Sequence, residues 1–145
     1  WQDMLFLPGI KQAEREHRHK VEEVIDFLDL QPYRDSLING LPYGVRKVVE
    51  IGRALAIGPK LILLDEPASG LSVEETRDVA FWIEDMRRDM GLTVLMVEHD
   101  MSLVNQVSDR VLAVANGQPL AMGTPAEVQA HPDVMAAYLG TGAAA

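Results

Sequence analysis

Hydrophobic positions recur along this chain with different periods, and the switches between them mark out its elements. Leu5 to Gly9 ends in a Pro-Gly turn signal. Over residues 12–30, Val21, Val24, Ile25 and Leu28 fall at helical spacing on one face. The first half of that segment, Glu14-Arg15-Glu16-His17-Arg18-His19-Lys20, is charged throughout. Its cations could form a patch for an anionic partner, but Glu14, Glu16, Glu22 and Glu23 dilute them, so a solvated face is favoured. After a turn at Gln31-Pro32-Tyr33, a helix is predicted over residues 45–56 with Val48, Val49 and Leu55 inward, stopped by Gly58-Pro59.

Leu61-Ile62-Leu63-Leu64 is unbroken apolar sequence, the mark of a strand buried on both faces. A helix over residues 73–90 carries Val79, Trp82, Ile83 and Met86 inward and closes at Gly91, and residues 92–97 form a second buried strand. A short helix over residues 102–107 leads to a third strand over residues 111–115. Asn116-Gly117 then turns the chain into Leu120-Ala121-Met122. Thr124-Pro125-Ala126-Glu127 starts a helix with proline at its first position, and a last helix over residues 133–139 ends at Gly140. Strand, helix, strand, helix, strand predicts an α/β fold, a parallel sheet flanked by helices.

Composition narrows the function. With 22 Asp and Glu against 13 Lys and Arg, the 145 residues carry a formal charge of -9, which argues against a surface built to coat nucleic-acid phosphates. At 48% hydrophobic and 24% charged, the chain is globular, with enough material for one domain and a real core. It has no cysteine, hence no disulfide, thiolate nucleophile or sulfur-ligated metal. Apolar stretches such as Leu61 to Leu64 and Val94 to Val97 are far below the roughly 20 residues of a membrane helix, and no signal peptide is visible. A soluble, cytosolic protein is expected. Trp1 stands where an initiator Met would, so the chain reads as cut from something longer.

The sharpest chemical signal is the pair Asp65-Glu66, followed by Pro67, at the end of the first strand. Ligands of open parallel sheets sit outside the carboxyl ends of the strands. Asp65 is suited to hold Mg²⁺, directly or through water, and Glu66 to align an attacking water. The plainer alternative is a strand ending in two solvated acids. Glu98-His99-Asp100 closes the next strand, so parallel strands would bring His99 to the same edge, where an imidazole can donate to a terminal phosphate. Leu41-Pro42-Tyr43-Gly44 runs straight into a helix, whose N-terminus attracts anions. Ala68-Ser69-Gly70-Leu71-Ser72 links the acids to the next helix, and Ser72 with Glu75 fits a capping box.

In this order and at these spacings, the residues resemble the nucleotide-binding subunit of ATP-binding cassette (ABC) transporters, over essentially the whole chain. More narrowly, Leu41-Pro42-Tyr43-Gly44, Glu98-His99-Asp100-Met101, Gly123-Thr124-Pro125 and the stretch from Asp133 to Gly140 resemble the branched-chain amino-acid (LIV-type) importer group. The resemblance implies a partial P-loop NTPase-like parallel sheet, with part of the ABC helical subdomain at the N-terminus. It implies ATP hydrolysis with Mg²⁺, driving uptake through a pair of permease subunits. Asp65 would match the Mg²⁺-associated residue, Glu66 the catalytic base and His99 the γ-phosphate switch. Pro42, Tyr43 and Gly44 would match the signature motif, which reaches ATP held by the opposite subunit of a head-to-tail dimer. Ser69 and Gly70 would lie in the D-loop. The implied division is one incomplete ATPase domain over residues 1–145: helical subdomain and signature helix over about 1–58, core sheet over about 59–123, C-terminal helices over about 124–145. Such a subunit would sit peripherally on the cytoplasmic face of the cell membrane.

Three departures follow from the same comparison. The family signature is Leu-Ser-Gly-Gly-Gln, and here Pro42 replaces the serine and Val45 the glutamine, so a serine hydroxyl contact to the γ-phosphate is lost. Ser72 stands where the D-loop usually ends in Asp. No Gly-x-x-x-x-Gly-Lys-Ser/Thr loop occurs; Gly58-Pro59-Lys60 lacks both the glycine spacing and the hydroxyl, and Gln2, Gln12 and Gln31 lack the setting of a Q-loop glutamine. The expectation is therefore the second part of a cassette, inactive by itself. The rival reading is a degenerate cassette acting as a non-catalytic dimerisation or regulatory module. A cassette acting on ribosomes or in DNA repair is disfavoured by the net charge and the lack of a basic insertion.

Overall fold

A computed structural model describes residues 8–139. It is α/β in class and divides into two units, residues 1–96 and 97–145. The predicted turn at Leu5 to Gly9 falls partly outside the described residues, as do Trp1, Gln2, the helix stop Gly140 and the alanine tail.

In the first unit, α1 (Pro8–Phe27) takes in Pro8 and Gly9, so the helix starts earlier than the turn signal suggested. Its half from Ile10 to Val21 is exposed all round, in keeping with the solvated charge run. Val24 and Leu28 are buried, whereas Val21 is not. The helix ends where Asp29 turns left-handed (φ 54°) and the Leu30 N–H donates back to the Ile25 carbonyl at 2.9 Å. That 6→1 bond is a Schellman-type stop, which folds Leu30 into the core.

Helix α2 (Tyr43–Ala56) begins two residues before the predicted start at Val45 and buries Val48, Ile51 and Leu55. Gly52 faces α1: a Cβ there would lie 3.1 Å from Leu28 Cδ1 and 3.4 Å from Val24 Cγ1. A mid-helix glycine costs roughly 1 kcal/mol against alanine, and here the missing side chain is what lets the two helices close.

Strand β1 (Leu61–Asp65) pairs with β2 (Thr93–Val97). The Thr93 N–H donates to the carbonyl of Lys60, the residue before β1, at 3.0 Å, so both strands set off from the same end, as a parallel pair does. Between them α3 (Val73–Arg88) buries Val79, Ala80, Ile83 and Met86. It stops two residues short of the predicted end, and Gly91 (φ 65°) turns the chain into β2. The expectation of strands buried on both faces is corrected here. In β1 only Ile62 and Leu64 are buried, while Leu61, Leu63 and Asp65 share an open face, and none of β2 is fully buried. An unbroken apolar run says that both faces tolerate burial, not that a neighbour covers both.

In the second unit, α4 (Met101–Val107) buries Leu103, Val104 and Val107. Strand β3 (Val111–Ala115) pairs antiparallel with β4 (Gln118–Gly123), so the third strand is half of a hairpin. Asn116 (φ 51°) and Gly117 (φ 75°) form its two-residue turn, both left-handed, as a type I′ turn requires. A bulge at Ala113/Val114 follows the register, and the Tyr138 hydroxyl donates to the Val114 carbonyl at 2.6 Å. Helix α5 (Pro125–Gln129) carries proline in its first turn and is capped by a reciprocal Thr124–Glu127 box. The last helical stretch runs through Pro132–Val134 and a π-helical turn, Met135–Leu139.

Two outcomes check this account. In denaturant unfolding, Leu64→Ala should cost about 2–5 kcal/mol and its open neighbour Leu63→Ala less than about 0.5 kcal/mol; equal losses would contradict one-sided burial. The Thr124 N–H, and then the Thr124 hydroxyl, donate to the Glu127 carboxylate and hold its pKa below the ordinary value. A depressed carboxylate stabilises above its unfolded pKa and loses that contribution as pH falls through the folded one. An NMR titration should find Glu127 low, and Thr124→Ala, which removes the hydroxyl but keeps the N–H, should bring it only part of the way back up.

Candidate functional site

The first unit gathers most of the sequence-predicted site around the turn that follows β1. Asp65 and Glu66 are exposed, and Pro67 and Ala68 behind them are buried. Glu66 has a left-handed backbone (φ 44°), uncommon for a residue with a side chain. The Ser69 N–H closes the turn by donating to the Glu66 carbonyl at 3.1 Å, and the Leu71 N–H does the same to Ala68 at 3.1 Å. Gly70 then turns left-handed (φ 76°), and Ser72 caps α3. The Ser72 N–H donates to Glu75 Oε2 at 2.7 Å and the Glu75 N–H to the Ser72 hydroxyl at 3.2 Å, the reciprocal box expected from the sequence.

The turn ahead of α2 packs against this loop. A Cβ on Gly70 would lie 3.0 Å from Cε1 of Tyr43, so the tyrosine ring rests on the glycine. Gly44 is buried, and a Cβ there would run into the Glu75 carboxylate and lie 3.5 Å from Leu71 Cδ2. Both glycines are therefore needed for close approach. Pro42 is the residue preceding α2 and offers no side-chain hydrogen bond to the helix amides. Tyr43 thus packs on Gly70, and Gly44 on Glu75 and Leu71, which joins the turn ahead of α2 to the loop ahead of α3.

One residue that the sequence reading passed over belongs here. Lys47 stands one helical turn after Tyr43, and its ammonium donates to the Glu66 carbonyl at 2.6 Å. Lys47 and Arg46 each lie 5.8 Å from the centre of the Tyr43 ring. Lys47, Glu50, Asp65 and Pro67 line a shallow cavity of about 240 Å³ between α2 and β1. The one available signal was the i, i+4 spacing from Tyr43.

His99 lies in the second unit, between β2 and α4. The preceding Glu98 side chain is only 1% exposed; its Oε2 accepts the His99 N–H at 2.9 Å and the Asp100 N–H at 3.1 Å. Asp100 in turn caps α4, accepting from the Ser102 N–H at 2.8 Å. This rigid turn presents the imidazole outward, 71% exposed, with Nδ1 3.8 Å from Glu98 Oε2.

Among the described residues no three acidic or histidine groups gather as a metal cluster. Asp65 offers an exposed carboxylate, which suits Mg²⁺ where a ligand's phosphates and water complete the shell.

Against known proteins, the pattern defining the family "ABC transporter" matches residues 1–69, and that of "Branched-chain amino acid ATP-binding cassette transporter" matches residues 118–144. The high-affinity branched-chain amino acid transport ATP-binding protein BraF of Pseudomonas aeruginosa is 37% identical over 92% of this chain and 52% of its own length. LivG of Salmonella typhimurium, of the same description, is 36% identical over 94% of this chain and 54% of its own. A crystal structure of an ATP-binding cassette of an ABC transporter, in its ADP conformation, superposes with a TM-score of 0.78 at 32% identity, covering 86% of this chain and 50% of that one. The chain spans about half the length of these relatives.

The close approach of Gly70 to Tyr43 is open to test. Gly70→Ala should destabilise the chain by roughly 1–2 kcal/mol, from the left-handed backbone and the crowded ring together. In a Tyr43→Ala background the penalty should shrink to the backbone part alone; an unchanged penalty would mean the ring does not rest there.

Proposed function

This chain belongs to the ABC transporter family, and from that membership we propose that it forms the C-terminal part of the ATP-hydrolysing subunit of an importer for branched-chain or related amino acids. The observation that carries the reading is the join between two motifs: α2 reaches from the Tyr43-Gly44 turn to the Glu66 carbonyl, directly behind the exposed acid pair. The names of BraF and LivG, matched along nearly the whole chain, support amino-acid import.

Residues 1–58 act as helical subdomain and signature helix, 59–123 as the core from the acid pair to the histidine, and 124–145 as C-terminal helices. Glu66 takes the proton of the attacking water as that water's oxygen bonds to the γ-phosphorus and the bond to the ADP oxygen breaks. Asp65 holds Mg²⁺, directly or through water; when bound, the ion offsets charge on the phosphates. His99, held out by the Glu98 turn, donates a hydrogen bond to a γ-phosphate oxygen. Tyr43 and Gly44, with Pro42 before them, meet ATP held by a second ATPase subunit in a head-to-tail dimer, and Ser69 and Gly70 lie along the same junction. Backbone amides at the start of α2 supply that contact, since Pro42 has no hydroxyl.

No described helix is long and apolar enough to cross a membrane, and the proposed station is peripheral, at the cytoplasmic face beside the permease subunits. These 145 residues contain no phosphate-binding lysine loop, so by themselves they do not turn over ATP. The substitutions at Pro42, Val45 and Ser72 favour one competing reading, a degenerate cassette that dimerises without turnover.

One set of assays decides among these. The 145-residue chain should show no Mg-ATP turnover. The intact subunit should hydrolyse ATP, and Glu66→Gln should retain ATP binding while lowering turnover at least roughly a hundred-fold. Turnover by the short chain would remove the need for the lysine loop, and unchanged turnover in Glu66→Gln would take Glu66 out of its role. An intact subunit that binds but never hydrolyses would establish the degenerate cassette.

A further inference from the structure

We propose that Lys47 is a positioning residue for Glu66: its ammonium grips the main chain of the base and sets the direction in which the carboxylate is presented. The inference rests on the reading of Glu66 as the hydrolytic base.

The argument starts from the peptide bond between Glu66 and Pro67. Proline has no N–H, so the Glu66 carbonyl is the only hydrogen-bonding handle on that peptide. Both of its acceptor positions are taken, by the Ser69 N–H at 3.1 Å and by Lys47 Nζ at 2.6 Å. The Ser69 bond is local and closes the turn; the lysine bond comes from a different element, 19 residues away in sequence. A charged donor makes the shorter and stronger of the two.

Glu66 needs such a restraint. Its left-handed backbone (φ 44°) is one a side-chain-bearing residue adopts only when its surroundings enforce it, and the residue before a proline is restricted further. Rotation of this peptide would swing the Glu66 side chain, because both hang from the same α-carbon.

Lys47 is itself held in place. It lies on the same face of α2 as Tyr43, one turn on, with its ammonium 5.8 Å from the centre of the ring that rests on Gly70. The lysine is thus fixed between an aromatic face and a carbonyl. Because Lys47 approaches the carbonyl and not the carboxylate in this contact, it can orient the base without neutralising it.

The test uses the intact ATPase, with Lys47→Met, Lys47→Arg, Lys47→Gln, Glu66→Gln and the double variant Lys47→Met/Glu66→Gln. Lys47→Met should lower kcat roughly ten- to a hundred-fold, the scale of a misaimed catalytic group, with the KM for ATP and the unfolding temperature nearly unchanged. Lys47→Arg, which keeps a charged donor of similar reach, should recover most of the loss. Adding Lys47→Met to Glu66→Gln should lower turnover no further. A wild-type kcat in Lys47→Met, a rise in KM with kcat kept, or failure of arginine to rescue would each overturn the proposal. If the methionine variant does not fold, Lys47→Gln takes its place, and the same split between kcat and KM decides. Should Glu66→Gln itself retain turnover, the reading of Glu66 fails, whatever Lys47 does; if it abolishes turnover while Lys47→Met is normal, only the positioning role fails.

Discussion

The constraint on which this site depends is the exit of the chain from β1. The strand ends with its acids on an open face, and the chain must then reverse into α3 within a few residues. It does so through a left-handed Glu66, a buried Pro67 that gives no N–H, and a left-handed Gly70. The Ser69 and Leu71 N–H groups close this turn from within, and it is held from outside as well. Lys47 holds the Glu66 carbonyl and the Tyr43 ring covers Gly70. The Ser72–Glu75 box then starts α3 in a fixed direction, and α3 buries Val79, Ile83 and Met86 beneath. The geometry of two exposed acids is thereby tied to the hydrophobic core of the first unit.

Much of this was legible in the sequence, because the relevant physics is local. Helical spacing of Val79, Ile83 and Met86 located α3, Ser72 with Glu75 located its cap, and Asn116-Gly117 located the hairpin turn. Membership of the ABC family and the resemblance to branched-chain importers were also readable from the motifs. The start of α2 was misplaced because Tyr43 and Gly44 look like turn residues by composition. They are in fact the first helical turn, kept small or flat where the 69–75 loop presses on it.

What escaped the sequence is what depends on partners far along the chain or outside it. Lys47 was invisible as a positioning candidate because its acceptor is a main-chain carbonyl, and every residue has one. One-sided burial of β1 was invisible for a related reason. Leu61 and Leu63 are as apolar as Ile62 and Leu64, and residue type records which faces accept a cover without recording what supplies it. The third strand was read as parallel from the order of elements alone, although the strong turn signal at Asn116-Gly117 already favoured pairing with the segment that follows.

The departure at Pro42 takes its meaning from the same constraint. A serine before a helix can accept a hydrogen bond from the first-turn amides and so fix the entry of the chain. Proline cannot, and α2 has no side-chain cap at that position. The anchoring of its first turn passes instead to tertiary contacts: Tyr43 against Gly70, Gly44 against Glu75 and Leu71, and Lys47 on the Glu66 carbonyl. Losing the cap therefore leaves no competing side-chain oxygen from residue 42 at the start of α2, and moves the job of holding that helix onto the loop that carries the acid pair. A helix held in this way cannot shift its N-terminus without disturbing the peptide of Glu66, which makes the anion-attracting end of α2 and the proposed base parts of a single mechanical element.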